Sequence, residues 1–189
     1  MTRIIAGQAR GRRLSTPPGQ GTRPTSDRAR EGLFSALDAR LKGLHGIRII
    51  DAYAGSGAIG LEALSRGAAA ALLIESDRRA AEVIKGNLTQ LGLPGGRLAT
   101  DRVEKLAAEQ CPGEPYDVLF LDPPYALAAA ELAALITGFA EHGWLAPDAL
   151  VCVERSARDP EWIWPEGFES LRARAYGEGM LWYGHRREQ

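Results

Sequence analysis

Cysteine and histidine are scarce in this chain: two and three among 189 residues. Cys111 and Cys152 lie far apart, and His45, His142 and His185 show neither pairing nor ligand spacing. That pattern excludes a disulfide framework and gives no metal-ligand set, so two reduced thiols, surface histidines and no metal are expected. No apolar run reaches the roughly 18 residues of a membrane-spanning helix, and no signal-peptide pattern follows Met1. A soluble, cytoplasmic protein is the expectation. No internal repeat or low-complexity tract breaks the chain.

What is present has ordinary globular proportions, with 45% hydrophobic and 25% charged residues. The net charge of -1 conceals a strong asymmetry. Residues 1–48 hold ten Lys and Arg against three acids, a charge of +7, and the remainder carries -8. A basic segment on an acidic body points to a polyanionic partner, with a solvated basic face as the alternative. The length allows one domain with a small appendage. Residues 1–45 read as a basic extension and residues 46–189 as the main domain.

Arg3–Gly7 and Arg12–Ser15 are strand-like pieces about a glycine turn, which predicts a basic hairpin. Residues 16–25 read as a loop. Ser26 or Asp27 caps a helix through Ala29, Leu33, Phe34, Leu37 and Leu41 that ends near Gly43. From Ile47 onward, apolar strands alternate with amphipathic helices. Strands are expected at 47–50, 71–74, 97–100, 116–121, 149–154, 170–176 and 180–183. Helices are expected through Leu61–Ser65 and over 78–91, 103–109 and 127–141. Such alternation predicts an α/β fold around a largely parallel sheet. Trp162, Trp164 and Trp182 read as packing residues.

In an open parallel sheet, ligands bind beyond the carboxyl ends of the strands. Four successive strand ends here carry an acid: Asp51, Glu75, Asp101 and Asp122. The turn after the first, Gly55-Ser56-Gly57-Ala58-Ile59-Gly60, matches G-x-G-x-x-G, a weak signal by itself that also admits NAD. Asp51 argues against NAD, because a carboxylate there repels a pyrophosphate docking on the following helix. It attracts instead an ammonium, and S-adenosylmethionine carries an ammonium, a sulfonium and no phosphate. Gly55 and Gly57 permit close backbone approach. Glu75, with Ser76 beside it, can accept from ribose hydroxyls. Asp101 and Arg102 are candidates for the adenine edge, with a helix cap as the alternative reading of Asp101.

Asp122-Pro123-Pro124-Tyr125 is the most specific signal. Two prolines end the strand and fix an extended turn. It displays a carboxylate, a carbonyl and an aromatic ring. An aryl amine is a poor nucleophile because its lone pair is delocalised. Asp122 and the Pro123 carbonyl can accept its two hydrogens and steer the nitrogen toward tetrahedral geometry. Tyr125, with Pro124 beside it, can stack on the base.

On these residues the chain resembles the bacterial 16S rRNA guanine-N2 methyltransferases. The resemblance is carried by Arg3–Gly7 with Arg10-Gly11-Arg12, and by Arg23-Pro24-Thr25 with Arg28, Arg30, Glu31 and Phe34. It continues through Asp51–Gly60, Leu61–Ala68, Asp122–Tyr125, Tyr176-Gly177 and Leu181-Trp182. Tyr53 replaces an expected phenylalanine, and Arg102 stands where a smaller residue is commoner. The resemblance implies a seven-stranded Rossmann-like class I fold with an N-terminal β-hairpin. It implies S-adenosylmethionine as cofactor and a guanine of the guanine-966 type in 16S rRNA as acceptor, within the small ribosomal subunit or its assembly intermediate. Arg10, Arg12, Arg13, Arg23, Thr25 and Arg28 become candidate RNA contacts. A monomer is expected. The alternatives are an adenine-N6 DNA methyltransferase, for which the chain leaves little room for a target-recognition domain, an NAD(P)-dependent oxidoreductase, and a non-catalytic RNA-binding module.

Overall fold

The computed structural model describes residues 2–18 and 26–187. A short antiparallel pair, β1 (Thr2–Arg3) and β2 (Arg13–Leu14), leads to α1 (Asp27–Leu41). Five parallel strands follow: β3 (Arg48–Ala52), β4 (Ala70–Ile74), β5 (Gly96–Ala99), β6 (Tyr116–Leu121) and β7 (Leu145–Ser156). Between them run α2 (Ala58–Ser65), α3 (Arg78–Leu91), α4 (Val103–Ala107) and α5 (Ala129–Glu141). β8 (Phe168–Tyr176) and β9 (Gly179–Arg186) close the sheet antiparallel, giving the order β5-β4-β3-β6-β7-β9-β8. The expected seven-stranded α/β sheet is therefore present. Among the described residues no helix is long and apolar enough to cross a membrane.

Local chemistry explains the element ends. Ser26 caps α1 by accepting from the Ala29 N–H at 3.1 Å, and Lys42 leaves the helix at φ 57° just before Gly43. Asp77 caps α3 in the same way, and Gly92 ends it. The strand centres are buried on both faces, as Ile49, Ile50, Leu72 and Leu73 show, because helices cover both sides of the sheet. One face packs α1, α2 and α3 onto β3, β6, β7 and β9. The other packs α4 and α5 together with Trp162 and Phe168. The apolar side of α1 (Leu33, Phe34 and Leu37) thus shares a core with the sheet, and Arg66, the C-cap of α2, lies over the Phe34 ring at 4.8 Å.

Three expectations are corrected. The hairpin strands are shorter than the sequence suggests, because the Ile5 and Ala6 N–H groups turn to the Glu62 carboxylate and the Gln8 N–H to the Ser65 carbonyl. The seventh strand of the chain begins at Leu145, four residues before the apolar run at 149–154, where Leu145 pairs with Tyr116. His142 and His185 are half-buried instead of lying at the surface, His142 with its Nδ1 2.8 Å from the Ala107 carbonyl oxygen. Trp162 is buried as expected and meets Trp164 edge-on, with ring centroids 5.9 Å apart.

Candidate active site

Strand order reverses at β3: β4 lies on one side of it and β6 on the other. The carboxyl ends of these strands diverge there, which is where an open sheet leaves room for a ligand. A cleft of about 570 Å³ occupies that place. It brings together nine of the residues singled out from sequence: Asp51, Gly55, Glu75, Ser76, Arg102, Asp122, Pro123, Pro124 and Tyr125. Its volume falls within the range of ordinary small-molecule sites.

The glycine turn forms one side of the cleft. The backbone takes positive φ at Tyr53 (63°), Gly55 (58°) and Gly57 (79°). A non-glycine residue in that region carries strain, and its position at a ligand cleft fits the usual location of such strain. A Cβ on Gly55 would meet nothing within 4 Å, so this glycine faces open space. Gly57 and Gly60 serve a different end. A Cβ on either would come within 2.9 Å of the Leu73 side chain, so both let α2 settle onto β4. Gly57 does not line the cleft.

Asp51 is almost wholly buried at the end of β3, where it accepts from the Gly60 N–H at 2.9 Å. Burial pushes its carboxyl up to about 7, the Gly60 hydrogen bond opposes that rise, and the nearby Glu75 charge adds to it. An acid in this state is a costly anion until a cation arrives. Glu75 follows β4 and holds two backbone N–H groups, Gly55 at 2.9 Å through Oε2 and Asp77 at 2.8 Å through Oε1. Each carboxylate oxygen keeps a lone pair for a further donor. The buried hydroxyl of Tyr53 lies near Glu104 and Glu131, and burial raises its pKa first, with those two charges adding.

On the opposite side, Asp122 is half-buried and Pro123 buried, while Pro124 and Tyr125 face outward. Tyr125 is 71% exposed at the mouth of the cleft. The Pro124 carbonyl accepts from the Leu127 N–H at 2.9 Å and so closes the turn into α5.

Other sequence candidates lie elsewhere. Asp101 sits two residues past β5, outside the cleft lining, and binds Lys105 and the Arg102 N–H at the start of α4. The N-cap of α4 is Arg102, with no side-chain cap bond, so Asp101 meets the start of the helix without capping it. Arg10 and Arg13 are exposed on the hairpin, whereas Arg12 donates to the Gln90 carbonyl at 2.7 Å and pins the hairpin to α3. Arg28 is exposed on the first turn of α1. Arg23 and Thr25 lie outside the described residues.

Several further contributors were given no role by the sequence. Thr2, Thr16 and Pro17 line the cleft, so the N-terminal segment forms part of its wall. Glu62, fully buried, accepts from the Ile5 and Ala6 N–H groups at 2.8 and 2.9 Å and from Arg66 Nε at 2.8 Å. Ser65 receives the Ala9 N–H and donates to the Ala6 carbonyl. Arg30, wholly buried, donates to the Arg3 carbonyl. An acid inside the otherwise apolar α2 was the available signal for Glu62. Thr16 and Pro17 carry none.

Comparison with known proteins places the chain. A family model described as "Conserved hypothetical protein 95" matches residues 2–185. A curated relative from Escherichia coli, ribosomal RNA small subunit methyltransferase D, is 41% identical over 152 residues, which is 80% of this chain and 73% of that protein. The protein of the same name from Haemophilus influenzae is 38% identical over 177 residues, 93% and 89% of the two chains. A solved Escherichia coli structure superimposes with TM-score 0.84 at 36% identity, covering 100% of this chain and 99% of that one. The fold is also that of the Synechocystis magnesium protoporphyrin IX methyltransferase solved with bound S-adenosylmethionine (TM-score 0.65, 16% identity, covering 84% and 78%). With its class I methyltransferase sheet and its match over almost the whole length, the chain belongs to the family of the ribosomal RNA small subunit methyltransferases D.

Proposed function

We propose that this protein methylates the exocyclic N2 of a guanine, of the guanine-966 type, in 16S rRNA of the small ribosomal subunit, using S-adenosylmethionine. The observation that carries the reading is a single cleft joining the acidic strand ends Asp51 and Glu75 to the rigid Asp122–Tyr125 turn. The cleft residues fit the donor. Open space over Gly55 admits a ligand against the backbone, Glu75 offers acceptors to two hydroxyls, and buried Asp51 suits a cation.

S-adenosylmethionine supplies an electrophilic methyl group on sulfur. Asp51 holds its ammonium, Glu75 with Ser76 holds the ribose, and Arg102 borders the adenine. Gly57 shapes the turn, and Asp101 acts through the start of α4. Asp122 accepts one amine hydrogen of the guanine, and the Pro123 carbonyl accepts the other. With S-adenosylmethionine held there, its methyl carbon would be the acceptor of the nitrogen lone pair and its sulfur the leaving group, while Asp122 or water would take the extra proton. Tyr125 and Pro124 hold the base plane. Positioning of this kind supplies up to roughly 7–11 kcal/mol of barrier reduction. Arg10, Arg12, Arg13, Arg23, Thr25 and Arg28 contact the RNA from the segment 1–45, and residues 46–189 carry the chemistry in a cytoplasmic monomer.

The test is tritium transfer from labelled S-adenosylmethionine to small subunits from a strain lacking the gene, with free rRNA and duplex DNA alongside and the modified base mapped. Label on one guanine of the subunit is expected. Label only in DNA would transfer the reading to a DNA methyltransferase.

A further inference from the structure

Asn87 is the polar exception on the buried face of α3, among Ala80, Ala81, Ile84 and Leu91. It is 1% exposed. A buried amide is tolerated only where its donors and acceptor find partners. Asn87 finds three. Its Oδ1 accepts from the Ser15 N–H at 2.9 Å, and its Nδ2 donates to the Ser15 carbonyl at 3.0 Å and to the Ser56 carbonyl at 3.0 Å. The Ser15 N–H must face an oxygen, which fixes the amide orientation.

These partners belong to two segments 41 residues apart in sequence. Ser15 follows β2 and precedes Thr16 and Pro17, both in the cleft wall. Ser56 lies between Gly55 and Gly57 and lines the same cleft. Holding the Ser56 carbonyl from below sets the Ser56–Gly57 peptide plane, and with it the Gly57 N–H that donates to Ala54 at 2.7 Å. Among the described residues, Asn87 is the side chain bonded to both segments. Separate bonds from Glu62 and Ser65 anchor the earlier part of the hairpin to α2.

We propose that Asn87 is a positioning residue that ties the hairpin exit to the glycine turn, so that ligand occupancy of the cleft and the state of the hairpin are energetically linked. A ligand that immobilises Gly55–Gly57 immobilises Ser15 through one amide. By reciprocity, a polyanion that fixes the hairpin tightens the cleft. The inference rests on the proposed function only in taking S-adenosylmethionine as the cleft ligand.

The experiment is amide hydrogen exchange on the full-length protein with and without saturating S-adenosylhomocysteine, its binding established by calorimetry. The Ser15 amide is expected to slow about fivefold or more on binding, the lower range of measured couplings. Asn87→Ala is expected to weaken S-adenosylhomocysteine about tenfold, the effect of losing one buried hydrogen bond. If the ligand binds and Ser15 exchange is unchanged, the coupling is refuted while the proposed function stands. The coupling is equally refuted if a folded Asn87→Ala protein binds within about twofold of wild type. If the wild type binds no ligand, the proposed function and this inference fail together. Should Asn87→Ala not fold, the wild-type exchange measurement decides alone.

Discussion

Replacing Asp51 by Asn should have opposite effects on the empty and the ligand-bound protein. Asp51 is buried, and its pKa stands at about 7 against 3.8 when free in water. A rise of that size corresponds to roughly 4 kcal/mol. Its sign follows from proton binding. The folded protein holds this proton more tightly, so the stabilising contribution is complete below about pH 4 and is lost as pH rises through 7. Above pH 7 the empty protein therefore carries a buried anion at that cost. Asn keeps an acceptor for the Gly60 N–H without the charge, so Asp51→Asn should raise the stability of the empty protein at pH 8, by about 2–4 kcal/mol in urea unfolding.

Binding should run the other way. If Asp51 meets the ammonium of the cofactor, the bound state needs it ionised. With a pKa of about 7, roughly a tenth of the empty protein is ionised at pH 6 and roughly nine tenths at pH 8. Wild-type affinity should then fall about tenfold between pH 8 and pH 6 through this group alone. The amine of the ligand titrates too, so the quantity to measure is the ratio of the Asp51→Asn and wild-type dissociation constants for S-adenosylhomocysteine. That ratio should be large at pH 8 and shrink about tenfold by pH 6, with proton release by the wild type visible as a buffer-dependent heat. A ratio independent of pH, or equal binding by both proteins at pH 8, would refute the contact between Asp51 and the ammonium.

Asp122→Ala should lower methyl transfer about 10³-fold or more while changing the affinity for S-adenosylhomocysteine by less than about threefold, as single-turnover rates and calorimetry would report. Removal of the charges of Arg10 and Arg13 should weaken binding to small subunits and reduce the slope of log K against log salt by about 1.4, or 0.7 for each single-stranded phosphate no longer neutralised. An unchanged slope would remove the hairpin tip from the RNA interface. Glu62→Ala takes away the carboxylate that receives two backbone N–H groups and Arg66. It should cost about 3 kcal/mol in urea unfolding and release the hairpin to fast amide exchange.

What the sequence revealed and what it hid divide along a physical line. Strand ends, caps and the Pro-Pro turn are local: Asp51, Glu75 and Asp122 are read from the apolar run before each, and Ser26 from the helix after it. Periodicity therefore placed the sheet, the order of its elements and one end of the cleft. Glu62, Ser65 and Asn87 act across 57, 56 and 72 residues of sequence, on backbone groups that every residue possesses and no pattern marks. The same limit explains Gly57, which looks like Gly55 in a glycine-rich motif. One faces open space and the other the Leu73 side chain, a distinction set by β4 and not by the turn itself. Asp101 shows the limit from the other direction. It has the right residue type at almost the right place, but β5 stops at Ala99, and the two added residues carry its carboxylate to Lys105. Chemistry borne by an element's end is thus legible in the chain. Contacts that turn a basic hairpin into a wall of the cleft become visible only once the helices beneath it are in place.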